Sequence, residues 1–143
     1  MSLVLAILLF LGVGAAAALH ALWGLGSTWP EADEEALARS VVGDGRRRMP
    51  PAWQCFAVAA LLAIVALWPF LMLGRGEVPV VLAGSFAISG LFVTRGFAGY
   101  SPRWRGRFRD EPFATRDRRY YSPFCLLMGV GYLALLAGEM ELQ

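Results

Sequence analysis

The chain has 143 residues, 57% of them hydrophobic and 17% charged, with a mean hydropathy of +0.54. Soluble domains carry about a quarter charged residues, so this composition excludes an ordinary water-soluble globule, and the length allows one domain, 1–143. The formal net charge of +2 conceals thirteen arginines, a single histidine and no lysine; without a lysine, a retinal protein of the Schiff-base kind is excluded.

The charges are segregated. Four blocks, about 2–25, 51–74, 79–100 and 123–140, hold almost none. A spanning helix needs about 20 apolar residues, and these blocks are apolar all round rather than striped at the period of a soluble amphipathic helix. The expected fold is all-α: a four-transmembrane-helix bundle. In the first block Ala15–Ala18 superficially offers a signal cleavage site, but no basic residue precedes the apolar run, which continues to Leu25, so a retained span is expected. Its Gly12, Ala16 and His20 share one face, as do Ser85, Ser89, Phe92, Gly96 and Gly99 of the third block. Small residues let helices approach closely in lipid, so the first and third spans are expected to meet.

Between the first two spans, "TWPE" reads as a capping box with Thr28 as cap and Glu31 three residues on. The segment "EADEEALARSVVG" then continues as a short amphipathic helix on the cytoplasmic side, with Glu35 and Arg39 placed for an i,i+4 pair, Leu37 and Val41 as its apolar edge, and Gly43 as its stop. Pro50 and Pro51 open the second span, and Pro69 bends it near its far end. In the third loop Pro102 and Pro112 break regular structure. Ser122 is the expected cap of the fourth span, with Pro123 in its first turn. That span is short, reaching full length by drawing in Met140 and Leu142.

Arginine sets the orientation. Four (Arg39, Arg46, Arg47, Arg48) lie in the first loop and seven (Arg103, Arg105, Arg107, Arg109, Arg116, Arg118, Arg119) in the third, against Arg75 alone in the second. Positive-inside bias makes the Arg-rich loops cytoplasmic and puts both termini outside, in a bacterial inner membrane. The arginines interleaved with Trp104 and Phe108 in "RWRGRFRD" fit topology and attraction to anionic headgroups; no nucleic-acid partner is expected. Cys55 and Cys125 are isolated thiols facing a reducing compartment. With one His and no CxxC pair there is no metal set, and no cofactor is expected.

Polar groups unusual for a membrane gather at one level. Arg95 lies about five residues, or roughly 7–8 Å, inside the end of the third span. His20 sits at similar depth in the first span, with Trp23 three residues on. Gln54 and Cys55 open the second span, Cys125 opens the fourth, and Asp117, Tyr120 and Tyr121 lie just beneath. Two readings stand. In one, Arg95 snorkels to the interface, His20 bonds a backbone carbonyl and Trp23 is a belt aromatic. In the other, Arg95, His20, Trp23, Gln54, Asp117 and Tyr121 line a ligand-binding cavity. Asp117 is the expected counter-charge of Arg95, with Arg118 and Arg119 as competing partners for it.

The stretches "HALWGLGSTWP", "LARSVVGDGRRRMPP", "RGFAGY" and "PFATRDRRYYSPFCLL", in this order and spacing, resemble the uncharacterised bacterial membrane family catalogued as domain of unknown function 3995. The resemblance covers essentially the whole chain. It implies a small multi-helix membrane protein with His20, Trp23, Arg95, Asp117, Tyr121, Ser122, Pro123 and Cys125 at signature positions, and it implies no activity. Phe124 stands where an aliphatic residue is more usual.

The leading functional expectation is binding or handling of a small anionic amphiphile or membrane lipid, its head at Arg95, whose planar fork suits carboxylate or phosphate. The alternatives are a homo-oligomeric or accessory subunit of a larger membrane complex, and a membrane enzyme with His20 as acid or base and Asp117 as its partner. The enzyme reading is the weaker, since no nucleophile motif or nucleotide loop appears. Reporter fusions and cysteine accessibility are expected to place segment 103–119 in the cytoplasm and both termini outside; a third loop labelled from the exterior would reverse the orientation.

Overall fold

The computed structural model describes residues 1–141, so Leu142, expected to lengthen the last span, lies outside the described residues. Among the described residues all regular structure is helical: α1 Ser2–Gly24, α2 Glu34–Val41, α3 Ala52–Met72, α4 Pro79–Ala98, α5 Pro102–Arg107, α6 Phe113–Arg116, a wide π-helical turn Asp117–Tyr121, and α7 Ser122–Glu141. Four helices are long and apolar enough to cross a membrane, the last running unbroken from Phe113 to Glu141. Their outward faces carry Leu8, Leu61, Phe86 and Leu127, all exposed. In water each such side chain would forfeit the roughly 1.5–3 kcal/mol that burial supplies; facing hydrocarbon, they mark a membrane protein.

The fourth span is the centre of the packing. Helix α1 packs along α3 and also against α7, while α4 packs along α7. The expected packing of α1 along α4 is not found, although His20 and Arg95 line common cavities. Gly12 of α1 sits against Met128 of α7, and a Cβ at Gly129 of α7 would stand 2.7 Å from Val93 and 3.1 Å from the Ser89 carbonyl of α4. The small-residue faces of both helices are thus used against α7, which lies between them. Ser89 Oγ donates to the Gly129 carbonyl at 2.8 Å, closing that contact with a polar bond.

Two prolines lie inside helices, and each frees a carbonyl. Pro69 has no N–H for the carbonyl four residues back, at Val65. The hydroxyl of Tyr132, fully buried on α7, donates to that carbonyl at 2.6 Å. Its ring lies parallel to Phe92 of α4, with centroids 6.0 Å apart. Tyr132 therefore ties three spans together at one level and supplies the donor that lipid cannot. Pro123 follows the wide turn, in which the Ser122 N–H bonds the carbonyl of Asp117 five residues back. In that register the donor for the Arg118 carbonyl belongs to position 123, where proline has none; Tyr100 Oη donates to it instead, at 3.1 Å.

Four local expectations are corrected. Helix α2 is capped by Asp33, whose Oδ1 accepts from the Ala36 N–H at 2.8 Å, not by Thr28. Thr28 and Glu31 form a turn, the Glu31 N–H reaching the Thr28 carbonyl at 2.9 Å, and the Glu31 carboxylate pairs with Arg116. Glu35 and Arg39 do not pair: Arg39 donates to the Glu111 carbonyl at 3.1 Å and Glu35 approaches Arg47 at 3.7 Å. Pro102 starts α5, capped by Ser101, rather than breaking structure. Ser122 caps nothing, because the helix already runs from Phe113; the widened turn makes room for Pro123 without a break.

Replacing Tyr132 with Phe leaves the Val65 carbonyl unpaired in a membrane core, and an expected 1–3 kcal/mol is lost, about the cost of an orphaned buried group. Chemical denaturation in detergent checks the loss. The Tyr132→Phe/Pro69→Ala pair, in which residue 69 regains its N–H, is expected to recover most of it.

Candidate functional site

The wide turn carries Asp117 into the protein, where it is 2% exposed. A buried carboxylate needs donors, and three converge on it. Arg95 Nη2 lies 2.6 Å from Oδ1, Trp104 Nε1 donates to Oδ2 at 2.9 Å, and Ser122 Oγ lies 3.4 Å from Oδ1. The Arg95 guanidinium also lies over the Trp104 ring, 4.5 Å from its centroid. A Cβ at Gly99 would stand 1.8 Å from Ser122 Oγ and 2.9 Å from Asp117 Oδ2. Only glycine lets the end of α4 approach this cluster.

Asp117 occupies one end of Arg95. At the other end, Nη1 is buried and has no hydrogen-bond partner among the described residues. Arg95 lines two cavities, of about 340 Å³ and about 470 Å³, which share His20, Trp23, Val41 and Phe113 as walls. The first extends past Gln54, Cys55 and Trp104. The second extends toward Tyr121, Arg116 and Trp29. Either volume falls in the range of small-molecule sites, about 300–1,000 Å³.

Of the residues singled out in the sequence, His20, Trp23, Gln54, Tyr121 and Arg95 line these cavities; Asp117 lines neither and stands behind Arg95, holding it. His20 does not touch Asp117. Its Nδ1 donates to the Ala16 carbonyl one turn back at 2.8 Å, which leaves Nε2 as the nitrogen available to a ligand. No hydrogen bond joins Asp117 to His20, the carboxylate being taken up by Arg95, Trp104 and Ser122. Trp23 packs against His20, with ring centroids 4.9 Å apart, and its Nε1 donates to the Trp29 carbonyl at 2.8 Å. Tyr121 Oη donates to the Ser40 carbonyl of α2 at 3.1 Å, bringing the interspan helix over the cavity mouth.

Trp104 was legible only as an aromatic among loop arginines. No local pattern ties residue 104 to 95 and 117; a tryptophan three residues past a serine cap and a proline at the first helical position was the available signal that its segment is ordered. The Glu31–Arg116 pair also joins loops that the sequence leaves unrelated. In the loop after α2, Arg46 donates to Asp44 at 2.6–3.0 Å and holds that carboxyl below its ordinary range, so Arg46 is matched locally. Among the described residues no three His, Cys, Asp or Glu side chains come together as metal ligands.

Asp117→Asn strands the Arg95 charge. Removing one partner of a buried pair typically costs about 3–5 kcal/mol, and with 29% of the Arg95 side chain exposed the lower end, about 3 kcal/mol, is expected. Arg95→Gln/Asp117→Asn is expected to recover much of this, a coupling that a double-mutant cycle in detergent measures.

A family model described as "Protein of unknown function (DUF3995)" matches residues 13–132, which holds every residue of the Asp117 cluster and of both cavities. No curated protein and no solved structure matches the chain. With most of its length matched, the chain belongs to the DUF3995 family.

Proposed function

We propose that the protein binds a small amphiphile from the membrane, with the head against Arg95 and the tail along the apolar wall beside Val58 of α3. The carrying observation is that Arg95, whose buried Nη1 has no partner among the described residues, lines a cavity otherwise rich in apolar and aromatic groups. Asp117 already balances the guanidinium charge, and Glu31 balances Arg116. A head with one acceptor oxygen pair, such as a carboxylate, therefore suits the site better than a multiply charged head. His20 Nε2 and the amide of Gln54 supply further polar contacts at the rim. In this reading the cavity faces the cytoplasmic leaflet of a bacterial inner membrane, the arginine-rich loops and α2 lie in the cytoplasm, and both termini lie outside, as the positive-inside bias favours.

The ligand content of wild type and Arg95→Lys, each extracted into the same mild detergent and read by lipid mass spectrometry, tests the proposal. Lysine keeps the charge and much of the reach but loses the fork that holds Asp117 and the ligand together. A co-purifying amphiphile is expected to fall in the variant while the fold survives. Identical lipids in identical amounts would sink the binding reading and leave an accessory subunit in its place. His20→Gln is expected to lower ligand content little; a loss of roughly 10²–10⁴-fold in the rate of turning over a bound amphiphile would instead make His20 a proton-transfer group.

A further inference from the structure

A third cavity, of different chemistry, also borders Trp104. It measures about 480 Å³, is walled by Gly99, Pro102 and Trp104, and takes in Arg105 and Arg109 from the α5 segment and Arg118 from the wide turn. These three guanidinium groups make no ion pair and no hydrogen bond among the described residues, unlike Arg46, Arg95 and Arg116. Two carboxylates also border the space. Asp117 is matched by Arg95, and Glu111 is turned to its own helix start, accepting from the Thr115 N–H at 3.2 Å and the Thr115 hydroxyl at 2.9 Å. Three unmatched cations thus face one space with a single uncompensated carboxylate at its edge. That excess suits an anion carrying phosphate oxygens, which arginine forks bind in pairs.

Position selects the source of the phosphate. The cavity opens at the end of α4, directly after the apolar span, where Phe97, Tyr100 and Tyr120 are exposed. Aromatic side chains at a span end mark the depth of lipid headgroups. We propose that Arg105, Arg109 and Arg118 form a binding site for the phosphate of an anionic membrane lipid, separate from the Arg95 cavity and sharing only Trp104 and Phe108 with it. The site is a defined cleft, which distinguishes it from diffuse attraction of the whole arginine-rich face to a charged bilayer.

The test compares two variants of equal charge in the full chain. Arg105→Gln/Arg109→Gln/Arg118→Gln empties the cleft; Arg103→Gln/Arg107→Gln/Arg119→Gln removes as many arginines from the same face without touching it. Both are placed in phosphatidylcholine nanodiscs doped with phosphatidylglycerol, and retained lipid is counted by native mass spectrometry. The cleft variant is expected to bind phosphatidylglycerol about tenfold to a hundredfold more weakly, given three lost surface-cation contacts, while the control stays near wild type. Equal losses in the two variants would reduce the effect to diffuse charge and overturn the site, as would no loss in either. Inorganic phosphate at millimolar concentration is expected to leave lipid binding unchanged; displacement by it would assign the cleft to a free anion and end the lipid assignment. Neither variant alters Arg95, so the amphiphile content of the Arg95 cavity reports separately on that reading.

Discussion

The buried charge of Asp117 organises the arginine-rich end of the molecule. A carboxylate with 2% of its surface exposed is tolerable only when donors surround it, and the three donors come from three separate elements of the chain. Arg95 reaches it from the third span, Trp104 from the helical turn that follows, Ser122 from the start of α7, and the wide turn delivers the acid itself. Loop segments that would otherwise be free to drift are thereby fixed to the membrane-spanning bundle. The same bonds orient Arg95 so that one end is consumed by Asp117 and the other is left buried without a partner.

Trp104 divides that end into two electrostatic environments. On one side the guanidinium of Arg95 is balanced, and the surrounding walls are aromatic and aliphatic. On the other side Arg105, Arg109 and Arg118 stand unpaired, with Glu111 at the edge and Asp117 taken up by Arg95. The indole, stacked on a cation with its face and bonded to an acid through its N–H, stands with Phe108 in the wall common to both spaces. Rotation of that ring would break both contacts.

The spans were legible because lipid demands what composition displays: uninterrupted apolar runs of sufficient length. The pairing of Arg95 with Asp117 was legible for a related reason, since a cation set inside a span requires an acid at matching depth and few were on offer. Which helices meet was not. Both α1 and α4 carry small-residue faces, and periodicity does not say that each is spent on α7. The interspan helix was foreseen but its start was misplaced, because Thr28 and Asp33 both satisfy a cap pattern and only the distant Arg116 draws Glu31 away from the first. His20 fell to the plainer of its two readings at Nδ1, a bond to its own helix, while its place in the cavity wall depended on the tertiary arrangement of three other elements.

The tyrosine over the Val65 carbonyl sets an order on the history of this chain. A proline at position 69 exposes a carbonyl in the hydrocarbon layer unless a hydroxyl already stands opposite it, whereas a tyrosine at 132 with no proline facing it only has to find another acceptor. A substitution path that avoids the orphaned carbonyl therefore runs one way: the tyrosine arrives before the proline and departs after it. At Pro123 the rule relaxes, because Tyr100 is exposed near the span end, where water can stand in for its hydroxyl. Exchange of Tyr100 thus costs less than exchange of Tyr132 as long as Pro69 is kept.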